Sequence, residues 1–537
     1  YKRQIMGIPS YFSYIVKNHR NIIKVFNKKT FQINNLYLDC NSIVYDSIRE
    51  IDNFTDNDNF ENILINLICN KISFYIKLIS PDTNVFIAFD GVAPVAKLEQ
   101  QRNRRYKSVF ETDILNKLTK QEIIKNDWNT SAITPGTKFM SKLSDKINKF
   151  FKNSKKFNVK KIIISTSNEI GEGEHKIYEF IRNNQEYHRT STTVIYGLDA
   201  DLIMLTLNHL HIAPSMFLFR ETPHFIKTID KTLEPNKNYI IDIPLFGKVL
   251  SLELNNNKEP DTKQKKNRIF DYIFLCFLLG NDFLPHFPAL NIRTTGIDTI
   301  LCVYKKVIGN SNDNIVNGSK IIWKNFRKIM IEIANTEEEL MHNEYKIRTK
   351  QSKNIMNRKM EESDRFVSVP MLDRSIEHYI NPYEKHWQER YYNKLFKIDI
   401  DDDRRKQISI NYLEGLEWTL KYYTTGCVDW RWKYNYNYPP LLQDLSKYIP
   451  YFDTTFIKEN SNTSVSPLVQ LSYVLPKKNL YLLPNKIEEV LLEKFEEVYT
   501  DTHNINWAFC KYFWESHIEF PHLSIDELEN TIMPLCV

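Results

Sequence analysis

Residues Asn84–Asp90 read NVFIAFD, an apolar, β-branched and aromatic run of strand length that closes on an acid. Three further runs share its character: NLYLD (Asn35–Asp39), KIIIS (Lys161–Ser165) and TVIYGLD (Thr193–Asp199). Amphipathic helical segments lie between them, the pattern of right-handed crossovers and a mostly parallel sheet. The predicted fold is therefore α/β. Asp39, Asp90 and Asp199 close three of the runs, and Asp201 follows two residues after Asp199. In open α/β sheets the carboxyl ends of the strands face one crevice, so these acids are expected to converge there. Glu172 and Glu174 in GEGEH follow KIIIS after a short loop, and Asp282 in GNDF follows a predicted apolar helix, Asp271–Leu279. The i, i+2 spacing of Glu172 with Glu174, and of Asp199 with Asp201, puts each pair on one side of an extended backbone.

Seven carboxylates in one pocket raise one another's pKa, and two divalent cations relieve that repulsion. Hard oxygen ligands favour Mg²⁺ or Mn²⁺ over zinc, and no His/Cys cluster suggests otherwise. A two-metal carboxylate site points to phosphodiester cleavage. Any one of these acids alone fits equally a helix N-cap or a solvated loop; four strands followed by the same device weigh against that.

After Asp90 comes GVAPVAKLEQQRNRRYK, where Lys97, Gln101, Arg104 and Arg105 fall at i, i+4, i+7 and i+8, one face of a helix. From Lys97 to Lys107 the only acid is Glu99. Such a stripe beside a metal pocket suits a terminal phosphate, with forked guanidiniums and a neutral amide as donors. Charge runs more often form a solvated surface, and the position next to Asp90 is what favours the pocket.

The rest of the 537 residues sets bounds. Hydrophobic residues at 42% and charged residues at 26% are those of a globular chain, and 13 glycines exclude collagen-like or Gly-rich architectures. The strongly apolar stretch Tyr272–Gly280 is too short to span a bilayer, and no secretory leader is evident, so no membrane partner is expected. Seven scattered cysteines without a CxxC pair fit neither a disulfide framework nor zinc, and point to a reducing compartment. The net charge of +6 permits a nucleic-acid partner without arguing for one. The abundance of Ile, Asn, Lys and Tyr reflects an AT-rich coding bias, and Tyr1–Ile5 reads as a remnant ahead of Met6. Residues 252–267 read as an exposed loop. The expected units are 6–336, a charged helix or linker over 337–369, and a second unit over 370–537 with an aromatic-rich segment from Trp430 to Tyr438.

MGIPSYF (Met6–Phe12), LYLDCNSIVY, FDGVAPVAKLEQQRNRR, ITPGTKFM (Ile133–Met140), GEGEHKI, YGLDADLIMLTL and FLLGNDFLPHFP, in that order, resemble the XRN family of 5′→3′ exoribonucleases. GLEWTLKYYTTGCVDWRW and NYPP continue the likeness into the second unit, so that it covers Met6 to about Leu528. The resemblance implies a PIN/flap-nuclease-like α/β domain whose pocket is completed by a mixed, mainly helical second unit. It implies processive hydrolysis of single-stranded 5′-monophosphorylated RNA to nucleoside 5′-monophosphates with two Mg²⁺ ions, Mn²⁺ substituting. By motif match, Asp39, Asp90, Glu172, Glu174, Asp199, Asp201 and Asp282 are the catalytic metal ligands, and Lys97, Gln101, Arg104 and Arg105 form the 5′-phosphate pocket. The family sandwiches the first base between a histidine and a tryptophan. Here Tyr45 stands at the histidine position, with Trp430 or Trp432 as the second plate, and Asn437 replaces a further family histidine. The resemblance also implies a cytoplasmic setting, the nucleus being the alternative, and a decapping activity as partner. It suggests a minimal, cytoplasmic-type or viral member that needs a partner for stability. The rivals are a structure-selective DNA nuclease of the same fold and an inactive RNA-end-binding protein.

Overall fold

The computed structural model describes residues 10–28, 32–51, 56–119, 128–221, 227, 229–235, 237–460 and 462–536; the start of the MGIPSYF motif lies outside them. Its centre is a seven-stranded sheet: β1 (Ile23–Val25), β2 (Asn35–Asp39), β3 (Asn84–Ala88), β4 (Lys161–Ser165), β5 (Thr193–Tyr196), β6 (Met216–Glu221) and β7 (Asn238–Asp242). The spatial order is β1-β7-β6-β5-β2-β3-β4. Strands β2 to β6 run parallel, and β7 and β1 add antiparallel at one edge. Strand β2 is buried along its whole length, as an apolar run covered by helices on both faces should be. Pairing of Asp39 with Ala88, and of Ala88 with Ser165, brings the carboxyl ends of the three strands level.

Two cores cover the faces. One packs helix Asn57–Ile79 and helix Lys138–Phe150 against residues such as Leu36, Leu38, Val85 and Ile87. Helix Asn57–Ile79 is long and apolar enough by composition to cross a membrane, and half of that apolar stretch is buried inside the fold. The other core runs without a break from Tyr37 and Ile195 through helix Thr262–Cys276 to Tyr412 and Trp418 of helix Asp402–Thr424. The helical second unit thus shares a core with the sheet.

Two expectations are corrected. The stretch 252–267 is mostly helix: helix Ile243–Leu254 runs into it, and Asp261 caps helix Thr262–Cys276 with a reciprocal bond to Gln264. The stretch 337–369 is no tether. Its helix Glu337–Met356 buries Arg348, which holds Glu377 at 2.5 and 2.9 Å, while Glu337 accepts the backbone N–H groups of Leu442 and Gln443. Arg348, Glu337 and Glu344 are buried and bonded inside the fold, while most other charged residues of the stretch face solvent.

Candidate active site

The acids gather where the level strand ends meet. Asp39 closes β2, Asp90 lies two residues past β3, and Asp199 three residues past β5. The Asp90 carboxylate accepts the N–H of Gly173 at 2.7 Å and a bond from the Asn41 side-chain amide. Gly173 must lack a side chain: a Cβ there would stand 2.9 Å from Asp39 Oδ1 and 3.4 Å from Asp90 Oδ1. Glu172 is the N-cap residue of helix Gly173–Asn183, with extended φ −70° and ψ 147°, and Glu174 lies in its first turn. Asp201 opens helix Asp201–His209. The two i, i+2 pairs are therefore aimed by helix starts and not by continuous strand, a correction to the extended-backbone expectation.

Glu172, Glu174 and His175 offer ligand atoms within 4.8 Å of one another. Lys97 is buried among the acids, its Nζ 2.5 Å from Glu172 Oε1 and 2.6 Å from Asp282 Oδ2. Asp282 also accepts a long bond from Gln100 at 3.4 Å. The phenol of Tyr422, from the second unit, donates to Glu172 Oε2 at 2.7 Å. His175 stacks on that ring at 3.7 Å and 27°.

One ammonium among seven carboxyls leaves a large excess of negative charge in a buried place. Burial, then the charges of Asp90 and Asp199, push the Asp39 carboxyl well above the usual range. Burial and Glu172 do the same to Glu174. Glu172 is raised by burial, against the pull of Lys97. Burial also carries Asp199 up to about 6. Lys97 is held charged by Asp282 and Glu172 although its burial opposes this. Asp39 Oδ1 and Glu174 Oε2 are buried without a hydrogen-bond partner among the described residues. Unsatisfied, mutually repelling carboxylate oxygens fit hard divalent cations.

Helix Val95–Thr119 carries the neighbouring cationic face. Gln101 Oε1 is buried without a partner, and Arg105 is buried with one long bond, 3.4 Å, to the carbonyl of Ser131. Burial draws the Arg105 guanidinium down to about 10, with Tyr45 and Arg104 close enough to act on it. Arg104 also acts on Asp199, so its charge reaches both the acids and Arg105. Arg104 and Arg105 thus lie on one stretch of helix with Gln101, with Tyr45 near Arg105, while the Lys97 ammonium, on the same helix, is paired with Glu172 and Asp282.

Tyr45 sits half-buried on helix Asn41–Ile48. Trp432 is buried, stacked on Trp418 at 5.2 Å and 25° and closely approached by Gly415, so its ring is packed into the core. Trp430 is half-buried, and its carbonyl accepts the N–H of Val95, which ties it to the start of the cationic helix. The Asn437 amide makes only a 3.4 Å bond to the Ile518 carbonyl. Sequence reasoning missed Asn41, His175 and Tyr422. Asn41 and His175 adjoin acids already singled out, whereas nothing local marks Tyr422.

Comparison with known proteins gives two family matches. The family described as XRN 5′-3′ exonuclease N-terminus matches residues 6–222, and the one described as Xrn1 helical domain matches 263–376 and 372–535. The chain is 27% identical to the 5′-3′ exoribonuclease 2 homolog of Drosophila melanogaster, over 88% of this chain and 64% of that protein. It is 26% identical to the 5′-3′ exoribonuclease 1 of Saccharomyces cerevisiae, over 89% of this chain and 40% of that protein. The chain therefore spans less than two thirds of the length of these curated relatives. Among solved structures, the catalytic core of Rad2 in complex with DNA substrate aligns with a TM-score of 0.33 and 14% identity, over 82% of this chain and 92% of that one.

Proposed function

The chain belongs to the XRN 5′-3′ exonuclease family, and we propose that it is a 5′→3′ exoribonuclease that hydrolyses single-stranded, 5′-monophosphorylated RNA to nucleoside 5′-monophosphates. The observation that carries this reading is the juxtaposition of seven carboxylates at the strand ends with the group Gln101, Arg104 and Arg105 on an adjoining helix. In this reading Asp39, Asp90, Glu172, Glu174, Asp199, Asp201 and Asp282 hold two Mg²⁺ ions. When bound, such ions supply Lewis-acid stabilisation and a water of lowered pKa for an in-line displacement.

The chain's own residues position the substrate. Arg104 and Arg105 bind the terminal phosphate with charge-assisted bonds, and the free Gln101 amide takes part as a neutral partner. A monophosphate end carries close to two negative charges, one more than an internal phosphodiester, so the guanidiniums of Arg104 and the buried Arg105 favour it over a hydroxyl end. A triphosphate or cap adds bulk that, in a closed pocket, holds the scissile phosphate away from the metals. Tyr45 and Trp430 are the stacking surfaces for the first base. Lys97, paired to Glu172 and Asp282, limits repulsion among the acids and stands ready to contact the scissile phosphate. Each cleavage leaves a new 5′-phosphate for the same group, which suits processive action. A decapping activity is the kind of partner that supplies such ends.

The test is mononucleotide release from 5′-labelled monophosphate RNA, with hydroxyl, triphosphate and DNA arms, in Mg²⁺ and in EDTA. Release confined to monophosphate RNA and to metal is expected, and it should vanish when Asp199→Asn and Asp201→Asn are combined in a chain that still folds. Equal degradation of all ends removes the phosphate pocket, and equal cleavage of DNA removes the RNA assignment.

A further inference from the structure

Far from the acids the charge distribution has a second extreme. Between Lys138 and Lys161 there are nine lysines (Lys138, Lys142, Lys146, Lys149, Lys152, Lys155, Lys156, Lys160, Lys161) and one acid, Asp145. The segment's net +8 exceeds the +6 of the whole chain, leaving 63 basic against 65 acidic residues elsewhere. A lysine-rich coding bias does not produce this, because elsewhere lysines and arginines are balanced by acids.

The fold spreads these charges over one surface. Helix Lys138–Phe150 buries Phe139, Met140, Leu143 and Ile147, so Lys138, Lys142, Lys146 and Lys149, at i, i+4, i+8 and i+11, line its outer face. That helix is about 20 Å long. The chain then turns through a short 3₁₀ segment, Ser154–Phe157, and enters β4, the edge strand, at Lys161. All nine lysines are exposed. Among the described residues only Lys142 has an ion pair, with Asp58 and Glu61. The stripe begins beside the phosphate group, since Thr137 caps the helix and Arg105 donates to Ser131 six residues earlier.

A surface of this kind binds a polyanion, and its composition narrows the kind. Phe139, Phe151 and Phe157 are buried and Phe150 is covered by Lys156 at 4.7 Å, so bases find no aromatic platform. Nor does it present the apolar anchors that an acidic protein segment needs for a stable interface. Regularly spaced phosphates match it best. We propose that the lysine face from Lys138 to Lys161 is a second, sequence-independent RNA contact that holds the sugar–phosphate backbone outside the catalytic cavity. It rests on the reading of this chain as an RNA enzyme, and it deepens that reading by giving the RNA body a place to dock.

Binding of a 5′-hydroxyl single-stranded RNA of about 30 nucleotides, in EDTA so that it stays intact, tests this by fluorescence anisotropy across roughly 50–200 mM KCl. Wild type is compared with Lys146→Gln, Lys149→Gln, Lys152→Gln and Lys155→Gln combined, and with a control combining Lys353→Gln, Lys359→Gln, Lys385→Gln and Lys486→Gln, all exposed. The first variant should lose up to about 3 from the slope of log affinity against log salt, at about 0.7 per phosphate contact, and bind at least about tenfold more weakly at low salt. The control should keep the wild-type slope. An unchanged slope in the first variant, or an equal loss in the control, overturns the proposal. Mononucleotide release from a monophosphate RNA too short to span both sites is measured in parallel. Release by wild type and variant alike leaves the proposed activity standing whichever way the slope falls. Absence of release by wild type fails the activity, while the slope still judges the lysine face.

Discussion

The Tyr422 hydroxyl is a bond by which the helical unit grips a proposed metal ligand, Glu172, and Tyr422→Phe deletes only that oxygen. The ring would keep its stack on His175 at 3.7 Å and on Trp418 at 4.8 Å. Glu172 Oε1 would stay on Lys97, but Oε2 would lose its 2.7 Å donor in a fully buried position. A hydrogen bond to a charged group is worth roughly 1.5–3 kcal/mol. Part of that appears as lost stability. The rest appears as a freer carboxylate, since removing a hydrogen bond that orients a ligating carboxylate costs about 10–100-fold in metal affinity. The expected result is a Mn²⁺ dissociation constant, from calorimetry on the RNA-free chain, raised by about that factor. The Mg²⁺ midpoint for mononucleotide release should rise in step, with the rate at saturating Mg²⁺ close to wild type. A midpoint within twofold of wild type would refute the reasoning and make Tyr422 a packing residue. Activity lost beyond rescue by high Mg²⁺ would refute it in the other direction.

Asp199, raised from 3.8 to about 6 by burial, binds a proton in the metal-free fold that the unfolded chain lacks between those values. Metal-free stability from this group should therefore fall by about 2–3 kcal/mol as pH rises from 4 to 7, while Mn²⁺ affinity weakens at least about tenfold per pH unit below 6; a pH-independent Mn²⁺ titration contradicts this. Arg104→Ala with Arg105→Ala should cut the monophosphate-over-hydroxyl preference by about 10²–10⁴-fold, from two bonds of roughly 1.5–3 kcal/mol each, and leave the metal midpoint unchanged. Trp432→Ala should destabilise the fold by about 3–5 kcal/mol in chemical denaturation, whereas Trp430→Ala should keep the unfolding midpoint and lose about 1–3 kcal/mol of RNA binding; the reverse pattern would exchange their roles. Tyr45→Ala should lose about 1–3 kcal/mol of binding to monophosphate RNA and Tyr45→Phe almost none, so a Phe variant as weak as Ala shows that the hydroxyl near Arg105 matters more than the ring.

What could be read in the sequence was local. A parallel strand in an α/β sheet is a short apolar run, so β2, β3, β4 and β5 were legible, and Asp39, Asp90 and Asp199 stand at or within three residues of the ends of β2, β3 and β5. Strands β1, β6 and β7 were not legible: IKV is only three residues long, and β1 and β7 owe their antiparallel pairing to each other and to β6 at the sheet edge. The stretch 252–267 misled because an exposed, well-capped helix has the same polar composition as a loop. Trp430 and Trp432 stand two residues apart in one aromatic run, and only the approach of Gly415 and Trp418 separates core from rim. Glu172 and Glu174 were paired correctly from an incorrect geometry, since a helix start, like a strand, can aim two acids at one point.

The long-range contacts give the helical unit a reason to be fused to the sheet. Seven carboxyls gathered at one end of the sheet repel; the donors that hold them there include the Gly173 N–H and the Asn41 side-chain amide on Asp90 and the Asn41 backbone N–H on Asp39. Lys97 and Tyr422 add two more, one from the helix after β3 and the other from 250 residues beyond Glu172. The helix bearing Lys97 is itself held by the second unit, through the Trp430 carbonyl on Val95 N–H and Lys433 on Glu99 at 2.6 Å. A chain cut before residue 370 would keep every proposed metal ligand, yet it would expose the Tyr412–Trp418 side of a shared core and leave Glu172 without its phenol. The acids can be brought together by the sheet, but their orientation is set from the other half of the molecule, so metal affinity and the integrity of the helical unit should rise and fall together.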